Sequence, residues 1–197
     1  MKKIIIATSL FLALTVGFSK ASLAASDFYH PSILPTSPWY QLKTIKERLE
    51  LFFTLSSEKK VETLSTQAGR RLAEARYLIG DANKAAVQKQ LGTYLDTYNR
   101  AFSEANKINT ASGQQTAFEN IANNTNEELQ TLGEAYKASS DETVKKSLAE
   151  LMAVVSKNQS NLVATITGEV KKAIITKIEA GRVSELTNLI PSKIIGN

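Results

Sequence analysis

The placement of proline is the feature that most constrains this chain of 197 residues. It has four prolines, and none of them lies between Pro38 and Pro191. Because proline interrupts helices, this long central stretch is free to form them. Apolar residues recur there at spacings of three and four, and the strict alternation of half-buried strands is missing. The sequence therefore predicts an all-α fold, with about five amphipathic helices in an antiparallel, compact or elongated bundle and a long late helix.

Helix start and stop signals divide this stretch into segments. Ser37 followed by Pro38 favours a helix start, because serine caps the first amides and proline fits the first helical position. Gly80 is placed to end a helix, and the Ser-Ser-Asp-Glu sequence at 139–142 marks a new start. Gly168 falls inside the last long segment, which it weakens by up to about 1 kcal/mol relative to alanine. The expected helices cover residues 38–55, 57–79, 82–109, 114–138 and 141–180, with a short last helix over 183–190.

The first expected helix has a pronounced apolar face, which we expect to pack inward. Leu51 and Phe53 widen this face enough to predict a helix sandwiched between others. The Trp39–Tyr40 pair is expected to close one end of the bundle, with Trp39 more buried than Tyr40. An exposed platform for a carbohydrate or peptide is the alternative. The apolar face comprises Trp39, Leu42, Ile45, Leu49 and Phe52.

Residues 1–24 have the organisation of a secretory signal peptide. Two lysines precede an uncharged apolar run over residues 4–18, and small residues follow it. The run is shorter than the roughly 20 residues that span a bilayer, so we expect export and cleavage after Ala24 or Ala25. An uncleaved N-terminal anchor is the alternative. Residues 25–37 are expected to form a Pro-rich linker.

The charge balance argues against nucleic acid as a partner. The chain has 24 Lys and Arg residues against 19 Asp and Glu, for a formal net charge of +5. Three of these excess positive charges lie in residues 1–24, which carry no acid, so the remainder is close to neutral. The chain after residue 24 therefore lacks the strongly basic character of nucleic-acid-binding proteins. The sequence also has no cysteine, which excludes disulfides and thiolate chemistry.

A series of short motifs lies between residues 34 and 75. They read L-P-T-S-P-W-Y-Q-L-K from Leu34, L-F-F-T-L from Leu51, E-K-K from Glu58 and R-R-L-A-E-A from Arg70. Together they resemble exported bacterial proteins that carry domain of unknown function 5667. The resemblance covers about residues 34–108. It implies an exported helical domain and assigns no catalytic residue.

Two helical units are expected after the linker. Residues 38–110 form a three-helix unit with the family-like motifs, and residues 111–197 form a C-terminal helical unit. Short connections favour antiparallel neighbours, so we expect the second unit to pack on the first. The alternative is a late helix that projects as a coiled arm and carries an apolar seam for a partner.

The sequence offers no catalytic, cofactor-binding or metal-binding residue. His30 is the only histidine and lies in the Pro-rich linker, whereas zinc sites need clustered ligands and a serine triad needs a positioned histidine. A glycine-rich phosphate loop is also missing. The acidic residues that suggest acid–base pairs are interpreted as solvated faces or first helical turns. They are Glu127, Glu128, Asp141, Glu142 and Glu169.

Basic and aromatic residues are the candidates for an interaction surface. The basic clusters are interpreted as contacts for an anionic polymer or membrane, or as solvated faces that pair with acids, such as Arg70 with Glu74. The stripe of Tyr94, Tyr98 and Phe102 is expected to pack in the core, with a ligand groove as the alternative. The candidate surface comprises Trp39, Tyr40, Arg70, Arg71, Lys171 and Lys172.

These observations predict an exported, non-enzymatic helical protein that acts as an envelope scaffold or interaction module. One alternative is an extracytoplasmic sensory or regulatory domain anchored by its N-terminus. A second is a wall-polymer enzyme that uses a pair of carboxylates. Expected partners are another envelope protein or a second copy of the chain, with membrane contact only if the N-terminal segment is retained. Neither nucleic acid nor a cofactor is expected.

Overall fold

The computed structural model describes residues 31, 33–80 and 83–179, and this part of the chain is all-α, as the sequence predicts. The expected signal peptide, His30 and the helix expected over 183–190 lie outside the described residues. No helix within the described ranges is long and apolar enough to cross a bilayer. The helices are α1 (Tyr40–Phe53), α2 (Ser57–Gly80), α3 (Lys84–Ala105), α4 (Ala111–Ala138), α5 (Glu142–Thr165) and α6 (Gly168–Glu179).

Helices α2 to α5 form a bundle with one hydrophobic core. Helix α2 packs along α3 and α4, and α4 packs along α5. The apolar faces expected for these four helices are buried, with Leu64, Tyr94, Leu132 and Leu148 among the fully enclosed side chains. Helices α1 and α6 lie outside this bundle, α1 against α2 and α6 against α4 and α5.

Side-chain caps mark the beginnings of α3, α4 and α5. Asn83, Thr110 and Asp141 each accept a hydrogen bond from the backbone amide three residues later, at 3.1, 3.3 and 3.0 Å. These bonds satisfy amides that have no partner inside the helix. At the first helix, the Ser37 hydroxyl accepts from the Trp39 amide at 3.3 Å, and α1 begins two residues later than expected.

The prediction of one long late helix over 141–180 is wrong in one respect, because this segment forms two helices, α5 and α6. Helix α5 ends at Thr165, and Gly168 has a φ of +72°, in the left-handed region that favours glycine. The apolar spacing continues across the break, since Ile166 and Ile174 are both buried. The sequence pattern therefore could not reveal the turn, which brings α6 back onto α4.

Candidate interaction surface

Helix α1 docks on the bundle through polar side chains. Its two buried residues are Tyr40 and Glu47, and Lys43 lies between them on the same face. Tyr40 lies beside Glu74 of α2, and the Glu47 carbonyl accepts from Gln67 of α2 at 3.2 Å, so the two helices run antiparallel. Helix α1 is thus held mainly by hydrogen bonds and ion pairs.

Arg71 is the centre of the contact between α1 and α2. Its guanidinium pairs with Glu47 of α1 and with Glu74 of α2, the latter at 2.7 Å. It also donates to the Tyr40 hydroxyl, which donates to Glu74 at 2.6 Å. Gln90 of α3 donates to the same hydroxyl at 3.1 Å. We call these five residues the Arg71 network.

The charges within the Arg71 network are compensated. Lys43 also pairs with Glu74, and Arg70 lies 3.7 Å from the Glu47 carboxylate. Burial and the neighbouring Glu74 carboxylate raise the pKa of Tyr40 above its ordinary value, so its hydroxyl stays protonated. Pairing between these buried ions of opposite charge favours one angle and register of α1 on α2.

The apolar face of α1 points away from the protein, and the expectation that it packs inward is wrong. Leu42, Ile45 and Leu49 are at least half exposed, and Phe52 is 76% exposed. The expected order of burial at the start of the helix is also reversed, because Trp39 is 65% exposed and Tyr40 is buried. We call Leu42, Ile45, Leu49, Phe52 and Phe53 the outer face of α1.

The inversion has a simple physical cause. At 100° per residue, the outer face of α1 lies directly opposite Tyr40 and Glu47. Only one of these two faces can contact α2, and α2 presents Arg71 and Glu74 there. Rotation of α1 would take Tyr40, Lys43 and Glu47 away from this buried pair, and the apolar face could not replace the hydrogen bonds and ion pairs that they make.

A groove opens beside the C-terminal end of α1. It has a volume of about 620 Å³ and lies between α1 and α3, above the first turns of α2. Its apolar lining comes from Leu51, Phe52 and Leu64. Phe52 belongs both to this lining and to the outer face of α1, so the two form one continuous surface. The basic residues of the lining are Arg48, Lys60, Arg100 and Lys107.

We call this site the basic groove, and three of its four cations are not neutralised by any residue that the structure describes. Lys107 pairs with Glu104, which also lines the groove, at 2.6 Å. Arg48, Lys60 and Arg100 have no ion-pair partner within the described ranges of the chain. Positive charges gathered around an apolar cleft raise the local concentration of anions. The groove is therefore suited to a ligand or surface that is both apolar and negatively charged.

A known protein family covers the region that contains α1 and the groove. The family model described as domain of unknown function (DUF5667) matches residues 32–135, more than half of the chain. The chain belongs to this family. The DUF5667 match extends further than the motifs indicate and takes in α1, α2, α3 and most of α4. Both the outer face of α1 and the basic groove lie inside it. No curated protein and no solved structure matches the chain.

The structure separates the six residues that the sequence groups as a candidate surface in this DUF5667 protein. Trp39 is exposed, whereas Tyr40 and Arg71 are buried in the Arg71 network. Arg70 is half-buried and lies 3.7 Å from the Glu47 carboxylate. The remaining two, Lys171 and Lys172, lie on α6, and Lys172 pairs with Glu169 at 2.8 Å.

The acidic residues considered for acid–base chemistry also lie in different environments. Asp141 caps α5, and Glu142 and Glu169 lie exposed in first helical turns, as expected. Glu128 is different, because it is buried and accepts from the Tyr94 hydroxyl at 2.8 Å. The prediction of a solvated Glu128 is therefore wrong. Within the described ranges, no three Asp, Glu or His side chains are grouped as metal ligands.

The residues that sequence reasoning missed are those of the basic groove. Arg48, Lys60 and Arg100 come from three helices, Lys107 follows the end of α3, and the four residues share no common motif. A signal for the inverted α1 does exist, since Tyr40, Lys43 and Glu47 also recur at spacings of three and four. Such a polar stripe is ordinarily solvated, so its burial depends on the partner residues of α2.

Proposed function

We propose that this DUF5667 protein is an exported, non-enzymatic interaction module of the bacterial cell envelope, and that α1 is its contact element. The observation that carries the proposal is the burial of the polar face of α1 with its apolar face exposed. Large apolar residues on one exposed strip mark interaction sites, because their exposure to water is unfavourable until something covers them.

The fixed orientation of α1 also supports the proposal. The Arg71 network holds the helix at several points along its inner face, so the outer face is presented without prior folding. A preorganised surface binds with a smaller loss of conformational entropy than a segment that must fold on contact. The predicted signal peptide is the basis for placing the contact outside the cytoplasm.

Site-specific photocrosslinking in the producing cell tests this function. A benzoylphenylalanine residue placed at Phe52 is expected to give a reproducible crosslink to an envelope component. The matched control is the same residue at Tyr77, which is a half-exposed aromatic side chain on α2 outside the contact surface. The proposal is overturned if Phe52 gives no crosslink or if both positions give the same products. Mass spectrometry of the recovered chain reports whether residues 1–24 have been removed.

A further inference from the structure

We propose that the component contacted by α1 is a negatively charged lipid surface. This inference rests on the function proposed above. Helix α1 lies in the plane of the interface, with its outer face among the upper acyl chains. The cations of the basic groove contact the lipid phosphates at one end of the helix. The sequence led us to expect membrane contact only through a retained N-terminal segment. In this proposal the folded domain itself makes the contact.

The outer face of α1 has the form of an interfacial helix. Its 14 residues make a rod about 21 Å long, with leucine, isoleucine and phenylalanine along one side. Trp39 lies exposed at the start, and tryptophan side chains are favoured at the level of lipid headgroups. Amphipathic helices with such residues lie in the boundary between headgroups and acyl chains.

The charge around the outer face favours lipid over a protein partner. Arg48, Lys60 and Arg100 come from three different helices and surround an open groove. A discrete protein ligand would need carboxylates matched to each cation, whereas an anionic bilayer offers many mobile phosphates that adjust to any arrangement. Glu104 is the acidic residue of the groove lining and pairs with Lys107, so it is already engaged and the other three cations have no ion-pair partner within the described ranges.

The bundle remains outside the bilayer in this arrangement. The Arg71 network joins the inner face of α1 to α2, so a lipid surface that covers the outer face of α1 lies on the side of the helix opposite α2. The outer face and the groove are adjacent, because Phe52 belongs to both of them. Apolar insertion and headgroup attraction therefore act together, as stable peripheral binding requires two weak signals.

Vesicle binding tests the lipid inference, with Trp39 as an internal reporter. It is the only tryptophan of the chain and lies at the start of α1. The protein is purified in the form that its producing cell makes and mixed with vesicles of phosphatidylglycerol and phosphatidylcholine, or of phosphatidylcholine alone. Binding to the anionic vesicles is expected to shift the Trp39 emission to shorter wavelength, and bromine on the acyl chains is expected to quench it.

Two variants separate the apolar contribution from the electrostatic one. The R48Q/K60Q/R100Q variant is expected to bind anionic vesicles about 100-fold more weakly, since each cation near such a surface contributes roughly five-fold. The L49S/F52S variant is expected to lose on the order of 100-fold through its smaller apolar surface. Exposed residues on other helices give the controls, K137Q/K146Q/K157Q and Y77S/V154S, which are expected to bind normally.

Several results would overturn the lipid inference. They are equal binding to both vesicle types, equal losses in test and control variants, and no emission shift at all. A response to inorganic phosphate without a response to vesicles would instead indicate a soluble anion. If vesicles fail while Phe52 still crosslinks to one envelope protein, the lipid inference fails and the proposed function stands. Absence of both responses removes both proposals.

Discussion

Glu128 is a carboxyl group in the core of the bundle. It lies on α4, and among the described side chains its hydrogen-bond partner is the Tyr94 hydroxyl of α3, with no cation paired to it. Burial raises its pKa from 4.5 to about 8, although the hydrogen bond from Tyr94 acts in the opposite direction. The folded protein therefore keeps a proton on Glu128 at neutral pH.

We predict that Glu128 makes stability fall as pH rises from about 4.5 to 8. The raised pKa means that the folded state holds more protons than the unfolded state in this window. Its stabilising effect is complete below the unfolded value and is lost as pH rises through the folded value, at about 1.4 kcal/mol per pH unit. Denaturation of the E128Q variant is expected to lack this slope and to show higher stability at pH 8. An unchanged slope would contradict the assignment.

The neighbouring residues Trp39 and Tyr40 are predicted to differ sharply in their effect on stability. The Y40F variant removes a hydroxyl that joins Arg71, Glu74 and Gln90, and its expected cost is about 1–3 kcal/mol. The W39F variant changes an exposed ring and is expected to cost less than about 0.5 kcal/mol. Urea denaturation of both variants measures the difference; equal costs would contradict this prediction, and a larger cost for W39F would favour the burial order that the sequence alone suggests.

Glu128 and Tyr40 show what the sequence could not predict about single residues. The core stripe of Tyr94 and Tyr98 was predictable, because helical spacing places both on one face with other apolar residues. Glu128 and Tyr40 were not, since each is buried only by virtue of a partner on another helix. Spacing along one helix contains no information about a distant donor or acceptor.

The break between α5 and α6 gives a prediction about backbone conformation. Gly168 has a positive φ, so alanine there adopts a strained conformation, and G168A is expected to destabilise the protein by about 1–2 kcal/mol. Gly92 lies in the middle of α3 with no atom within 4 Å of an added Cβ. The G92A variant is therefore expected to stabilise by about 0.5–1 kcal/mol. Thermal unfolding measures both, and stabilisation by G168A would indicate one continuous helix.

The helices themselves were largely predictable from their ends. The expected starts at residues 57 and 141 lie within one residue of the observed beginnings of α2 and α5, because start signals act locally. The orientation of α1 was not predictable, because both of its faces have helical spacing and the one that packs is chosen by Arg71. The turn at Gly168 was missed because the apolar pattern continues through it.

We predict that the molecule opens in stages, with α1 released before the bundle. Helix α1 buries little apolar surface, whereas α2 to α5 enclose the core. Its amide protons are expected to exchange through openings of lower free energy than those of α3. Native-state hydrogen exchange measures this order, and α1 is expected to open at a lower free energy than α3 both in the wild-type protein and in the Y40F variant. Exchange of α1 and α3 through one common opening would contradict it.

Because α1 is fastened by one face and exposed on the other, folding and recognition depend on different residues of the same helix. Substitutions on the outer face of α1 do not disturb the core, so they escape the stability threshold that removes most changes in a folded protein. Natural variation on this face is therefore free to alter what the protein touches without altering how it folds. During evolution, the outer face of α1 can therefore change its binding partner while the bundle keeps its structure.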